Sequence, residues 1–199
     1  MSLRAVCVDF GGVLVRTEHE APREHLAQRL GLDYEALYRL VFESKSSRRA
    51  SVGEISAEEH WNEVARHLGI PPSEIESVRS QFFAGDFVDH RLLGFLRSLR
   101  PSYKTALISN AWSDLREYIT RQGFADVFDA MVISAEVGVM KPDERIYRIA
   151  LERLGVRPEE ALFVDDFEVN VEGARSLGMR GIHFRAPEQA LAELSRLLG

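Results

Sequence analysis

Residues 3–12 read LRAVCVDFGG. A short, mostly apolar run meets an aspartate at Asp9 and then the Gly11-Gly12 pair. Such a run closed by glycines reads as a buried strand leading into a sharp turn. Similar β-rich runs recur at 103–109 (YKTALIS), 130–133 (AMVI), 161–165 (ALFVD) and 181–184 (GIHF). Helical patterns separate the later ones. Leu115, Ile119 and Phe124 mark the first. Ile146, Ile149 and Leu154 follow Pro142, and Val171, Ala174 and Leu177 mark the third. The last opens at Pro187 and continues through Leu191, Leu194 and Leu197-Leu198. Strands alternating with helices predict an α/β, doubly wound parallel sheet covered on both faces.

Residues 16–85 break that alternation. They carry helix-period patterns only: Leu26/Leu30, Leu37/Leu40/Val41, Trp61/Val64/Leu68 and Ile75/Val78/Phe82. Turn signals fall at Gly31, Ser44–Ser47, Gly53 and Pro71-Pro72. This pattern predicts a helical domain over 16–85, inserted into a core formed by 1–15 and 86–199. Its hinges fall near Val15-Arg16 and Gly85–Asp89.

Composition narrows the function class. The 199 residues are 45% hydrophobic with a formal net charge of -6, and no basic block is present. Arg48-Arg49, the densest basic spot, reads as a solvated loop. That charge pattern argues against nucleic acid or an anionic membrane surface as a partner. The single cysteine, Cys7, excludes an intramolecular disulfide and reads as a small core residue. The first apolar run is too short for a signal peptide or a membrane span, so a soluble, cytoplasmic protein is expected. The sequence says nothing of oligomeric state.

In an open parallel sheet, ligands bind beyond the carboxyl ends of the strands. Those ends carry Asp9, Ser109-Asn110 and Asp165-Asp166, and Lys141 lies in the loop before the Pro142 helix. Taken singly, each has an ordinary reading. An aspartate at a strand end forms a turn, and Ser109 and Asn110 make good N-caps for a helix beginning near Trp112. Together they are harder to dismiss. Two like charges about 4 Å apart cost about 4 kcal/mol at a surface-like dielectric. One carboxylate must then take up a proton, or a cation must neutralise them. All-oxygen ligation with sites left for water and phosphate is a magnesium arrangement. Lys141, Ser109 and the backbone N–H groups after Asp9 supply the charge and donors that a phosphate needs.

Val8-Asp9-Phe10-Gly11-Gly12-Val13-Leu14 resembles the first motif of the haloacid dehalogenase (HAD) superfamily. Ser109-Asn110 resembles its second, Lys141-Pro142 its third, and Val164-Asp165-Asp166 with Asn170 its fourth. The helical insertion resembles the family's C1-type cap. The likeness extends to the sugar-phosphate phosphatases and to the phosphatase-like relatives of soluble epoxide hydrolase. It implies a Rossmann-like HAD core and a Mg²⁺-dependent hydrolase acting on a small phosphorylated metabolite. It also implies roles. Asp9 attacks phosphorus and forms an aspartyl-phosphate. Gly11, Gly12, Ser109, Asn110 and Lys141 hold the phosphate. The metal is held by Asp9, the Gly11 carbonyl and Asp166, with Asp165 as a further ligand or an outer partner. Asn170 orients that shell.

Gly11 departs from the family pattern, which usually places a second aspartate there to handle the proton of the leaving oxygen. General acid–base help contributes about 10²–10⁴-fold in rate. The departure leaves open a phosphatase with another proton source, a 2-haloacid dehalogenase-like hydrolase, and a weakly active or non-catalytic binding relative. The intact Asp165-Asp166 pair favours metal and phosphate over halide. In the insertion, Arg16, His19, Phe42, Glu43, His60 and Trp61 are candidate substrate contacts. Phe42 and Trp61 also read as core, and His19 and His60 as solvated surface. His183 reads as a packed or hydrogen-bonded histidine.

Overall fold

The computed structural model describes residues 2–100 and 102–199. Its main sheet contains β1 (Ala5–Val8), β4 (Lys104–Ser109), β5 (Ala130–Ile133), β6 (Ala161–Asp165) and β7 (Arg180–His183). A short ribbon pairs β2 (Val15–Thr17) antiparallel with β3 (Asp86–Val88). The main sheet is parallel throughout, in the order β5-β4-β1-β6-β7. Central β1 is therefore flanked by β4 and β6. Strand order reverses between β1 and β6, where such sheets bind ligands.

Alternation along each strand builds the two faces. Val6, Val8, Leu107, Leu162 and Val164 pack on one side with α6 (His90–Leu99), α7 (Leu115–Arg121) and α11 (Pro187–Leu198). Ala5, Cys7, Ile108, Ala161 and Phe163 pack on the other with α9 (Glu144–Leu154) and α10 (Glu168–Ser176). The one-turn α8 (Ser134–Val137) follows β5. Burial pushes the Cys7 thiol up to about 12, as a core cysteine requires.

Between β2 and β3 lie α1 (Ala21–Arg29), α2 (Tyr34–Phe42), α3 (Lys45–Ser51), α4 (Ala57–Leu68) and α5 (Ile75–Phe82). They share a core of their own, with Leu26, Leu37, Val41, Trp61, Val64 and Phe82 at its centre. Trp112, from the loop after β4, is the residue outside 16–85 that joins this cluster. No helix among the described residues is long and apolar enough to cross a membrane.

Several local expectations are corrected. Ser44–Ser47 and Arg48-Arg49 form helix α3 instead of a turn and a loop, because Ser44 caps it by accepting from the Ser47 N–H at 3.2 Å. His60 is fully buried, not solvated. It lies on the α4 stripe with Ala57, Trp61 and Val64, and Ser46 Oγ pairs with its Nδ1 at 2.8 Å. Ser109 and Asn110 cap no helix, since α7 begins only at Leu115. Helix α6 lay unread between the hinge and β4, although Asp89 caps it and Leu92, Leu93 and Leu96 form its buried face.

Candidate active site

Asp9 follows the last residue of β1, and its N–H donates to Val164 O of β6 at 2.9 Å. The pairing sets its carboxylate beside the end of β6, where Asp165 and Asp166 stand. One carboxylate oxygen from each of the three lies within 4.8 Å of the others. Lys141 enters from the loop before α9. Its ammonium lies 2.7 Å from Asp9 Oδ1 and 2.6 Å from Asp165 Oδ2, above the Phe163 ring at 5.3 Å from the centroid. The site thus gathers three carboxylates around one cation.

The three acids are not equivalent. Asp165 is completely buried and well supplied with donors: Lys141 Nζ, the Phe167 N–H at 2.8 Å and Asn170 Nδ2 at 3.0 Å. A carboxylate so occupied has little left for a metal. Although its oxygens lie within reach of a shared cation, hydrogen bonding makes Asp165 the anchor of Lys141. Asp166 is the opposite case, with a buried Oδ1 that has no hydrogen-bond partner. Its main-chain carbonyl accepts from His183 Nε2 at 2.9 Å, which fixes the residue and leaves the carboxylate free.

Electrostatics tell the same story. Burial is the largest influence on Asp9, pushing its carboxyl up to about 7; Lys141 opposes this, and the Asp165 and Asp166 charges reinforce it. Burial and then the Asp165 charge push Asp166 up to about 6. Protonation or a bound cation relieves both groups.

The remaining motif residues divide by what they touch. Ser109 is buried at the end of β4. Asn110 has both ends of its amide on the Lys141 main chain: Nδ2 donates to Lys141 O at 3.0 Å, and Oδ1 accepts from Lys141 N at 2.7 Å. Its side chain therefore holds the lysine loop. Asn170 reaches Asp165, and its carbonyl accepts from the buried Tyr147 hydroxyl at 2.7 Å. Gly12 has φ +76°, and a β-carbon there would collide with the Asp166 carboxylate. Glycine is thus needed twice over, for backbone conformation and for close approach. Gly11 is different: it is exposed, and a β-carbon there would meet nothing within 4 Å.

The haloacid dehalogenase-like hydrolase family model matches residues 3–178. The chain belongs to this family. It is 27% identical to bifunctional epoxide hydrolase 2 of Rattus norvegicus over 218 residues, aligning 100% of the chain with 39% of that relative. It therefore spans about two fifths of the relative's length. The D-ribitol-5-phosphate phosphatase of Bacteroides thetaiotaomicron is 26% identical over 184 residues, covering 88% of this chain and 89% of that one. A HAD family enzyme from the same organism, crystallised with magnesium and inorganic phosphate, has the same fold. Its TM-score is 0.80 at 22% identity, covering 94% of this chain and 96% of that one.

Not every part of this HAD site was readable from the motifs. Tyr147 and Phe163, which support Asn170 and Lys141, look like ordinary core residues in sequence, because burial marks both roles alike. Among the candidate contacts of the insertion, Arg16 pairs with Asp89 at 3.0 Å, and Phe42 and Trp61 pack around Trp112. His19 packs edge-on against Phe87, with centroids 5.2 Å apart. These contacts give all four a structural part.

Proposed function

We propose that this HAD hydrolase is a magnesium-dependent phosphatase of a small phosphorylated metabolite, acting through an aspartyl-phosphate at Asp9. The observation that carries the reading is the unpartnered Asp166 Oδ1 beside an Asp9 carboxylate held by Lys141. The donor set is all oxygen, is net negative and includes one buried oxygen without a partner. It suits a hard divalent cation. Asp9, Asp166 and the Gly11 carbonyl would hold Mg²⁺, with Asp165 acting through Lys141 and Asn170. When bound, the ion supplies positive charge for the oxygens of the phosphoryl group.

The chain's own residues do the rest. Asp9 presents a carboxylate oxygen to phosphorus. Lys141 keeps one positive charge fixed at the site, so the dianionic phosphate does not face three carboxylates alone. Ser109 offers a hydroxyl from the adjacent strand, and the N–H groups after Asp9 add donors. Asn110 and Asp165 keep Lys141 in place from opposite sides. The relatives named as a phosphatase and as a complex with magnesium and phosphate support the same chemistry.

On this reading residues 16–85 form a C1-type cap over a core of 1–15 and 86–199, with the β2–β3 ribbon as its stem. Trp112, packed among Phe42, His60 and Trp61, ties the cap to the loop after Ser109. The test is release of phosphate from an aryl phosphate with and without Mg²⁺, in wild type and Asp9→Asn. Turnover that survives either the substitution or excess EDTA sinks the reading.

A further inference from the structure

Transfer of a phosphoryl group to Asp9 raises a question of proton supply. An Asp9 oxygen bonds to phosphorus, the bond to the leaving oxygen breaks, and that oxygen departs with the electron pair. It must leave as an anion or be handed a proton as it goes. Water then attacks phosphorus, releases the Asp9 carboxylate and gives its proton to phosphate or solvent.

Among the described residues, no side chain that contacts the Asp9 carboxylate can hand over that proton. Its carboxylate is contacted by the Phe10 N–H at 2.6 Å and by Lys141, which is held between two carboxylates as the fixed charge. Asp165 accepts from Lys141, Asn170 and Phe167, and Asp166 is committed to the cation. Gly11, next in line on the open side, has no side chain and faces space. The insertion's candidate contacts with a titratable group, His19, His60 and Glu43, are packed elsewhere or exposed. His19 packs on Phe87, His60 is enclosed with Ser46 and Trp112, and Glu43 is exposed at the end of α2.

We infer that the substrates are phosphates whose leaving oxygen departs as a stable anion: acyl, enol or aryl phosphates and phosphoanhydrides, in preference to phosphate esters of ordinary alcohols. This rests on the phosphatase reading and narrows it. General acid catalysis contributes about 10²–10⁴-fold where it operates. Its absence costs most when the leaving group is a poor one, because an alkoxide gains the most from being protonated. An acidic phenol or a carboxylic acid needs little help.

The experiment measures kcat/KM for the metal-loaded protein with acetyl phosphate, a series of substituted phenyl phosphates and a sugar-alcohol phosphate. Wild type is expected to lose about 10²–10⁴-fold between the best aryl phosphate and the alkyl phosphate. Gly11→Asp, for which the backbone leaves room, closes most of that gap. Tyr38→Phe is the control. Tyr38, on α2, is half-buried within the field of Asp166, and on this inference its loss leaves the gap unchanged.

Aryl and alkyl phosphates turned over within tenfold of each other by wild type would overturn the inference, as would a gap that widens in Tyr38→Phe. If Gly11→Asp does not fold, the wild-type series decides alone. Phosphate release from none of the donors, or release indifferent to Asp9→Asn, defeats the phosphatase reading itself. A flat but Asp9-dependent series defeats this inference only.

Discussion

Lys141 donates to Asp165 across 2.6 Å, and neither side chain has any solvent exposure. A buried pair of this kind is strongly destabilised when one member is removed, typically by 3–5 kcal/mol, because the survivor stays buried without its partner. Here removing the lysine also leaves Asp9 and Asp166 facing Asp165. Lys141→Met is therefore expected to lower unfolding stability at pH 8 by about 3–5 kcal/mol in EDTA. Added Mg²⁺ recovers part of that loss and restores no phosphatase activity. Urea denaturation with and without the ion measures both effects.

The metal-free site has an unusual pH signature. Asp9 and Asp166 are raised from 3.8 to about 7 and about 6. The folded state then binds those protons more tightly than the unfolded chain. Their contribution is fully present below about pH 4 and is lost as pH rises through 6 and 7. The acids with lowered values, Asp143 and Glu160 at about 2, act only below about pH 4.5, and buried His60, lowered by desolvation, adds an opposite trend below about pH 6.5, so the window from about 6.5 to 8 reads the site most directly. In EDTA the melting temperature is expected to fall across that window. The Mg²⁺-induced rise in Tm is expected to grow over the same range. Asp166→Asn raises the metal-free Tm at pH 8 and abolishes most of the response to Mg²⁺. Thermal scans at several pH values measure all three, and a Mg²⁺ response independent of pH contradicts the assignment.

Much of this was legible in the sequence, and the boundary has a physical cause. Four of the five parallel strands are short apolar runs closed by Asp or Ser, and the fifth, Arg180–His183, is a weaker run at the sheet edge. Asp9, Ser109-Asn110 and Asp165-Asp166 were found because they stand at strand ends, where a polar residue interrupts an apolar run; Lys141 and Asn170 lie elsewhere, in the loop before α9 and on α10. The division of labour among them was not legible. Whether Asp165 or Asp166 keeps a free oxygen depends on where Asn170 and Lys141 reach, a matter of tertiary distance. Asn110 resembled a helix cap because caps and loop anchors use the same residue types. His60 resembled surface because charged neighbours on a helix lie on other faces.

Asn110 gives a prediction that separates positioning from contact. Its amide satisfies both the N–H and the carbonyl of Lys141. In Asn110→Ala both main-chain groups lose their partners, at a cost of about 1–3 kcal/mol for each group left buried and unpaired. The lysine loop loosens while Asp9 and Asp166 are untouched. Phosphatase kcat is expected to fall by at least tenfold with Mg²⁺ affinity, read by calorimetry, nearly unchanged. A parallel loss of metal affinity places Asn110 at the metal instead.

Trp112 is one point at which the inserted helices meet the rest of the chain, and α3 against α8 is another. It stacks on Phe42 with centroids 5.8 Å apart and lies 4.5 Å from the His60 ring and 6.0 Å from Trp61. Nearby, Arg79 pairs with Asp114, and Ser113 Oγ accepts from the Ala57 N–H at 3.2 Å. Large-to-small changes at buried aromatics cost about 3–5 kcal/mol, and Trp112, though it comes from the loop after β4, is buried in the cluster of the inserted helices. Trp112→Ala is therefore expected to loosen that cluster and its contact with the loop while the two clusters of the main sheet stay folded. Amide exchange is expected to quicken in α3 and α4 and at 111–114, with β1, β4 and β6 still protected. Because Trp112 lies two residues past Asn110, KM for an aryl phosphate is expected to rise more than kcat falls. Uniform deprotection across the main sheet would mean instead that Trp112 supports the core itself.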